Sequence, residues 1–339
     1  MQKTGFGVIG VGGWGETHVR VYAAHPAVDL VAVCDVREDR AREMAQHYDV
    51  ETVYTDYRDL LDDNRVSAVS IVTPDFAHTD LALAAAQAAK HVLIEKPLAT
   101  TVKECEQIIT EVKRAGIKFM VDFHNRWNPP FANIKSALEN GELGEPMMIY
   151  CRLSDTIFVP TRMLSWAAQS SLLWFLGSHC VDLMLWLLQD EVKRVFSVSR
   201  SNVLVQRGIS TPDFFQTVLE FKKGAVATME NCWILPESAP IVFDFKFEIV
   251  GSEGAAFADG SHHRMLQRYT KDEASYPDVA VCPDIHGKPT GFGTESIRHF
   301  VDCVLYDQEP MVTAQDGLKV TQVVCAIEQS ARKGKAVEM

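Results

Sequence analysis

Short apolar runs alternate with amphipathic stretches through the first 120 residues of this chain. The runs at 6–10, 29–34, 68–72, 91–94 and 117–121 predict strands, and the stretches at 13–24, 37–48, 57–62, 77–89 and 102–115 predict helices. The strand runs are β-branched and lack polar alternation, which suits a parallel sheet covered on both faces. Thr100-Thr101 followed by Glu104 is a capping-box pattern ahead of the last helix, and Gly116 ends it. Such alternation predicts an α/β, doubly wound Rossmann domain over residues 1–122, with its ligand crevice at the carboxyl ends of the strands. Thr73-Pro74 and Glu95-Lys96-Pro97 both fall at such ends.

The pattern changes at Asn128-Pro129-Pro130. A helix at 131–140 gives way to β-type segments at 147–154, 193–204, 214–222, 225–234, 243–250 and 264–270. An irregular stretch, 155–170, and an apolar helix, 172–188, separate the first two. Tight-turn sequences such as Lys222-Lys223-Gly224 join successive strands, so a large, open, mostly antiparallel sheet is expected in an α+β domain over 123–339. Residues 271–292 read as loop; helices at 294–306 and 314–333 close the chain and are placed to pack back on the first domain. Apolar residues on alternating positions, Phe243-Phe245-Phe247 and Val226-Thr228-Glu230-Cys232-Ile234, exceed what one covered face requires and predict burial against another copy.

Composition narrows the function classes. A length of 339 residues favours two cores. The net charge of −12 disfavours nucleic acid and anionic membranes as partners. Eight cysteines without a C-x-x-C pair read as free thiols in a reducing compartment. A first strand by residue 6 leaves no room for a signal peptide. Gly177, Ser178, His179 and Asp182 interrupt the apolar tract 172–188, which makes it a buried helix rather than a membrane span. A cytoplasmic protein is expected.

Gly10, Gly12 and Gly15 form G-x-G-x-x-G between the first strand and the first helix, the setting in which that run becomes a dinucleotide fingerprint. The glycines permit a sharp turn, close approach of a pyrophosphate and close helix–strand packing, and the helix N-terminus holds the phosphates. Asp35, twenty residues past Gly15, ends the second strand where an acid accepts from the adenosine ribose hydroxyls. It would repel a 2′-phosphate, so NAD is expected over NADP; Arg37 keeps NADP as the alternative. Lys96, at a strand end beside that crevice, is placed to exchange a proton with a carbonyl or hydroxyl oxygen, and a cis Lys96–Pro97 bond would fix its direction. Solvent exposure is the ordinary fate of such a lysine. His179 and Asp182 share one helix face, and Asn125 and Arg126 follow the last Rossmann strand; a buried, self-satisfied His and a structural Arg ion pair are the plain alternatives. No metal is expected: His262-His263 are adjacent, and no H-E-x-x-H or Cys/His cluster occurs.

These residues resemble the glucose–fructose oxidoreductase/inositol dehydrogenase (Gfo/Idh/MocA) family over essentially the whole chain. The resemblance rests on Gly10-x-Gly12-x-x-Gly15 with His18, Asp35, Thr73-Pro74-Asp75-x-x-His78, Glu95-Lys96-Pro97, Phe123-His-Asn125-Arg126-Trp127 and Gly177-Ser178-His179-x-x-Asp182. It implies a nicotinamide-dependent oxidoreductase for a sugar, cyclic polyol or their keto forms, with 123–339 binding substrate and building a homodimer or homotetramer. Lys96 and His179 would then serve acid–base roles. Gly10, Gly12, Gly13, Trp14, Gly15, Asp35, Val36, Arg37, Thr73, Pro74, His78, Glu95 and Lys96 would hold the cofactor, and Asn125, Arg126, Trp166, Phe175 and Asp182 the substrate.

Three departures from the family pattern stand out: Asp75 where Asn is common, Gln169-Ser170-Ser171 where three glycines are often found, and Phe175 where inositol-dehydrogenase-like members carry an Asp. That Asp would orient His179, so its loss shifts the expected proton transfer towards Lys96. Two alternatives remain, an NAD-using lyase or glycoside-cleaving enzyme that oxidises its sugar transiently, and a catalytically idle nicotinamide-binding sensor.

Overall fold

The computed structural model describes residues 3–261 and 265–339. The chain forms two compact units, Met1–His124 with Ala280–Leu318, and Asn125–Val279 with Lys319–Met339.

The first unit is a Rossmann fold. Strands β1 (Thr4–Ile9), β2 (Val28–Cys34), β3 (Thr52–Tyr54), β4 (Ala68–Ile71), β5 (His91–Glu95) and β6 (Phe119–Asp122) form one parallel sheet in the order β3-β2-β1-β4-β5-β6. Helices α1 (Gly13–Ala24), α2 (Glu38–Tyr48), α3 (Tyr57–Asp62), α4 (His78–Gln87) and α5 (Val102–Ala115) connect them. Every residue of β4 and β6 is buried, as unbroken apolar runs require when helices cover both faces. The order reverses between β1 and β4, where a doubly wound sheet opens its crevice. At the start of α5, Thr101 Oγ1 accepts from the Glu104 amide at 3.2 Å and donates to its carboxylate at 2.7 Å. Gly116, at φ 65°, ends that helix. β3 was not expected; three half-buried residues at a sheet edge carry no readable periodicity. The returning segment adds the helix Phe292–Leu305, which packs on α1 and touches β5 and β6.

The second unit carries α6 (Pro129–Glu139), α7 (Ser178–Leu188) and the strands β7 (Pro146–Asp155), β8 (Val192–Arg200), β9 (Phe214–Phe221), β10 (Val226–Cys232), β11 (Phe243–Gly251) and β12 (Ala255–Asp259). Their order is β12-β11-β7-β10-β9-β8, with Val337–Glu338 at the far edge. Only β7 and β10 pair in parallel, so the sheet is mixed and mostly antiparallel, as expected. β12 was not foreseen, since Ala255-Ala-Phe-Ala-Asp259 has little β-propensity. Of the strand expected at 264–270, Arg268–Tyr269 pairs with Ala274–Ser275. Arg264 lies outside the described residues, as do His262 and His263. The 271–292 segment, expected as loop, also holds the short ladder Asp284–Ile285 with Lys288–Pro289.

Alternation along the strands defines two faces of this sheet. Phe245 and Phe247 are buried on the covered face, with ring centroids 5.1 and 5.8 Å from Phe131 of α6. They therefore belong to the core, which corrects the expectation that they lie on a face left for a partner. The opposite face does keep exposed apolar residues: Met148, Phe196, Val198, Val218 and Val226. The apolar helix expected at 172–188 is broken by a wide π-type turn, Leu173–Gly177, before α7 begins. A Cβ at Gly177 would stand 2.9 Å from Leu173 Cδ2 and 3.3 Å from Asn231 Oδ1, so any other residue here would have to displace the end of the Leu173 side chain. Ser178 Oγ donates back to the Trp174 carbonyl at 2.7 Å. No helix among the described residues is long and apolar enough to cross a membrane.

Candidate active site

The glycine turn of the first unit is shaped by what a Cβ would meet. Gly10 adopts φ 89°, and a Cβ there would lie 2.3 Å from the Val72 carbonyl oxygen; at Gly15 it would lie 2.1 Å from the Gly10 oxygen. Both positions are closed to any side chain. At Gly12 and Gly13 nothing lies within 4 Å, which leaves an open cradle at the start of α1. No side chain caps that helix, so its first amides and the positive end of its dipole face the cradle. Asp35 at the end of β2 accepts from the Val11 and Arg37 amides, both at 3.0 Å, which fixes its carboxylate next to the turn. Val36 and Arg37 are exposed beside it. This donor set fits a dinucleotide: amides for the pyrophosphate and a carboxylate for a ribose diol.

Two further strand ends flank the cradle. His78 at the start of α4 places Nδ1 2.7 Å from the Pro97 carbonyl oxygen and Nε2 3.0 Å from that of Thr73, bridging the Thr73-Pro74 turn to the Lys96-Pro97 turn. The Lys96–Pro97 peptide bond is cis. Lys96 is half-buried, unlike the exposed strand-end lysine of the plain alternative. Trp14 Nε1 donates to Glu95 Oε1 at 2.7 Å, and its ring packs 5.2 Å from that of His124.

Glu95 also faces a group that the sequence reasoning did not select. His18 Nε2 lies 3.3 Å from Glu95 Oε1 and 3.8 Å from Asp122 Oδ2, and Glu95 and Asp122 are register partners on β5 and β6. All three are buried. His18 Nδ1 lies 3.0 Å from Ser70 Oγ, which lies 2.6 Å from the Tyr22 hydroxyl. Burial and the Glu95 charge push the Asp122 carboxyl well above the usual range. Burial also opposes the Glu95 charge, but the His18 hydrogen bond and the charges of His18, Lys96 and His124 bring that carboxyl down to about 2. His124 is brought down to about 4, chiefly by burial. An acid ending an otherwise apolar buried strand, Phe119-Met-Val-Asp122, was the available signal.

In the second unit, Asn125 Nδ2 lies 3.3 Å from His179 Nδ1, and both residues are buried. With the amide donating, Nδ1 accepts and the ring proton sits on Nε2. Arg126 binds Asp182 in a buried two-pronged pair, Nε to Oδ2 at 3.1 Å and Nη2 to Oδ1 at 2.6 Å. The turn 124–127 is thereby tied to α7 at two points, one turn of helix apart. Phe175 stands in the π-type turn with its ring 6.1 Å from Trp166 and 5.8 Å from Trp233.

Comparison with known proteins places this geometry. Residues 4–123 match the model described as "Oxidoreductase family, NAD-binding Rossmann fold", and residues 131–257 match the GFO/IDH/MocA C-terminal domain. The chain is similar to myo-inositol 2-dehydrogenase of Thermotoga maritima, 28% identical over 336 residues that span 98% of each chain. It is 31% identical to inositol 2-dehydrogenase 2 of Saccharopolyspora erythraea over 254 residues, 74% of this chain and 71% of that one. The solved structure of a probable dehydrogenase from Thermotoga maritima superposes with a TM-score of 0.83 at 26% identity, covering 98% of both chains. Glycine cradle, the acid ending β2, strand-end lysine and mixed-sheet second unit thus occur in one chain because it belongs to the Gfo/Idh/MocA family of NAD-binding oxidoreductases.

Proposed function

We propose that this dehydrogenase interconverts a secondary hydroxyl and a ketone on a cyclic polyol or sugar, with NAD preferred over NADP. The observation that carries the proposal is Lys96, half-buried at the carboxyl end of β5, in the unit that holds the glycine cradle and Asp35. When bound, NAD supplies the hydride acceptor. Lys96 takes the hydroxyl proton through Nζ in the oxidation and returns it in the reduction. The oxidation needs the neutral amine, so its rate rises with pH through the lysine's titration.

His179, with its proton on Nε2, donates a hydrogen bond to the reacting oxygen and is not the main base. Asn125 takes the orienting part that an acid at Phe175 would play, but a neutral amide cannot stabilise an imidazolium. Arg126 and Asp182 hold Asn125 and His179 in register. Phe175 and Trp166 offer ring faces to the C–H groups of a substrate. Residues 1–122, joined by the returning segment 280–318, form the dinucleotide domain, and the rest of 123–339 the substrate and oligomer domain of a cytoplasmic enzyme. The inositol dehydrogenases among the relatives support a cyclic polyol. The test is NADH absorbance on incubating the protein and NAD with inositols, sugars and glycosides. Stoichiometric NADH with one polyol or sugar supports the proposal; glycoside turnover without net NADH would replace it by transient oxidation.

A further inference from the structure

Two carboxyl groups directly opposite each other on neighbouring buried strands cannot both ionise at ordinary cost, because like charges in a low dielectric repel strongly. Glu95 and Asp122 are such a pair. One ligand-type atom from each, with His18 Nε2, lies within 4.8 Å of the other two. Their surroundings separate the two acids. Glu95 has donors suited to an anion: Trp14 Nε1, His18 Nε2 and the Lys96 backbone amide, the last at 3.3 Å from Oε2. Both Asp122 oxygens are buried without a donor at hydrogen-bonding geometry. The Ser296 hydroxyl, which bears on Asp122 from the neighbouring helix, is within 3.4 Å of the Gly293 carbonyl, so an anion on Asp122 would be far less well held than one on Glu95. The groups facing the pair are His18 and Tyr22 from α1, Ser70 from β4, Lys96 after β5, His124 after β6, and Ser296 from the helix Phe292–Leu305.

We propose that Asp122 is held as a neutral carboxylic acid, so that Glu95 is the one carboxylate of the pair behind Lys96, and that its charge sets the proton affinity of Lys96. Asp122 and Glu95 are then positioning residues, and the inference rests on Lys96 as the acid–base group. Were both acids ionised, Lys96 would be held as an ammonium more firmly and the oxidation would lose its base near neutral pH. The raised carboxyl of Asp122 and the lowered one of Glu95 point the same way as the donor geometry. A divalent cation on His18, Glu95 and Asp122 is the competing occupant. It is disfavoured because Trp14 and His18 already donate to Glu95 Oε1 and because the Lys96 charge acts on both acids.

The first arm of the test is infrared difference spectroscopy of the whole protein at neutral pH. A protonated-carboxyl stretch is expected in the wild type and absent from Asp122→Asn. The second arm is the pH profile of kcat/KM for the oxidation. Glu95→Gln should move the ascending limb to lower pH by about one to three units, the range for losing a neighbouring opposite charge. Asp122→Asn, which replaces one neutral group by another, should leave it in place. No band, a limb displaced by Asp122→Asn, or a stoichiometric divalent metal in the purified protein each overturns the proposal. So does an unmoved limb in Glu95→Gln; if that variant does not fold, Glu95→Asp, which pulls the charge back from its partners, must displace the limb instead. A limb that survives Lys96→Ala would indict the base assignment, and the infrared arm would still report on Asp122.

Discussion

Lys96 and His179 differ in what holds them, and their replacements should differ in kind. A positioned acid–base group contributes roughly 10²–10⁴ in rate, so Lys96→Ala should lose that much kcat while NADH still binds by fluorescence. His179→Ala removes a hydrogen bond whose orienting partner is an amide, and should cost distinctly less kcat while raising KM more in proportion. Equal losses of kcat would show that His179 is a base after all. Most of these residues were legible because they sit in short motifs at strand ends. Asp122 was not, because its meaning depends on Glu95, twenty-seven residues away in sequence and opposite it only once β5 and β6 pair. The orienting role of Asn125 was hidden for the same reason: its partner lies fifty-four positions on.

At the scale of an element, the β1–α1 turn separates packing from binding within one motif. Gly15→Ala forces a Cβ to within 2.1 Å of a backbone oxygen, and overpacking of that sort costs about 1–3 kcal/mol, so its melting temperature should fall. Gly12→Ala meets no protein atom within 4 Å and should melt like the wild type, yet bind NADH more weakly because the new methyl enters the cradle where the pyrophosphate approaches. A Gly12→Ala protein with unchanged NADH affinity would mean the pyrophosphate lies elsewhere. Elements with a full period were readable in the sequence, the helix Ala314–Lys333 to the residue. The failures were β3 and β12, too short or too alanine-rich to signal, and the π-type turn, whose Gly177 packs close to Asn231 on a distant strand.

For the whole molecule, the open sheet face carries apolar residues that a partner would cover. Met148 stands opposite Val226 across β7 and β10, and Phe196 opposite Val218 across β8 and β9, so the exposed apolar residues form neighbouring pairs. We expect that face to be buried in a homodimer or homotetramer. Light scattering at micromolar concentration should give a multiple of 37.8 kDa, and Phe196→Glu with Val218→Lys should shift it towards the monomer. Chain order has a separate consequence. The first unit takes its sheet from residues before 125 and the helix that touches β5 and β6 from after 279, with 155 residues between. Ribosomes add about 5–20 residues per second, so roughly 8–30 s separate the emergence of the sheet from that of its cover. During that interval Ser296 has not yet reached Asp122, and the burial that the Phe292–Leu305 helix brings to the carboxyl pair is still to come. The nascent protein would acquire its buried proton only once the helix Phe292–Leu305 has been made, so a chain stalled before it would carry the nucleotide motif while lacking the charge state proposed for it.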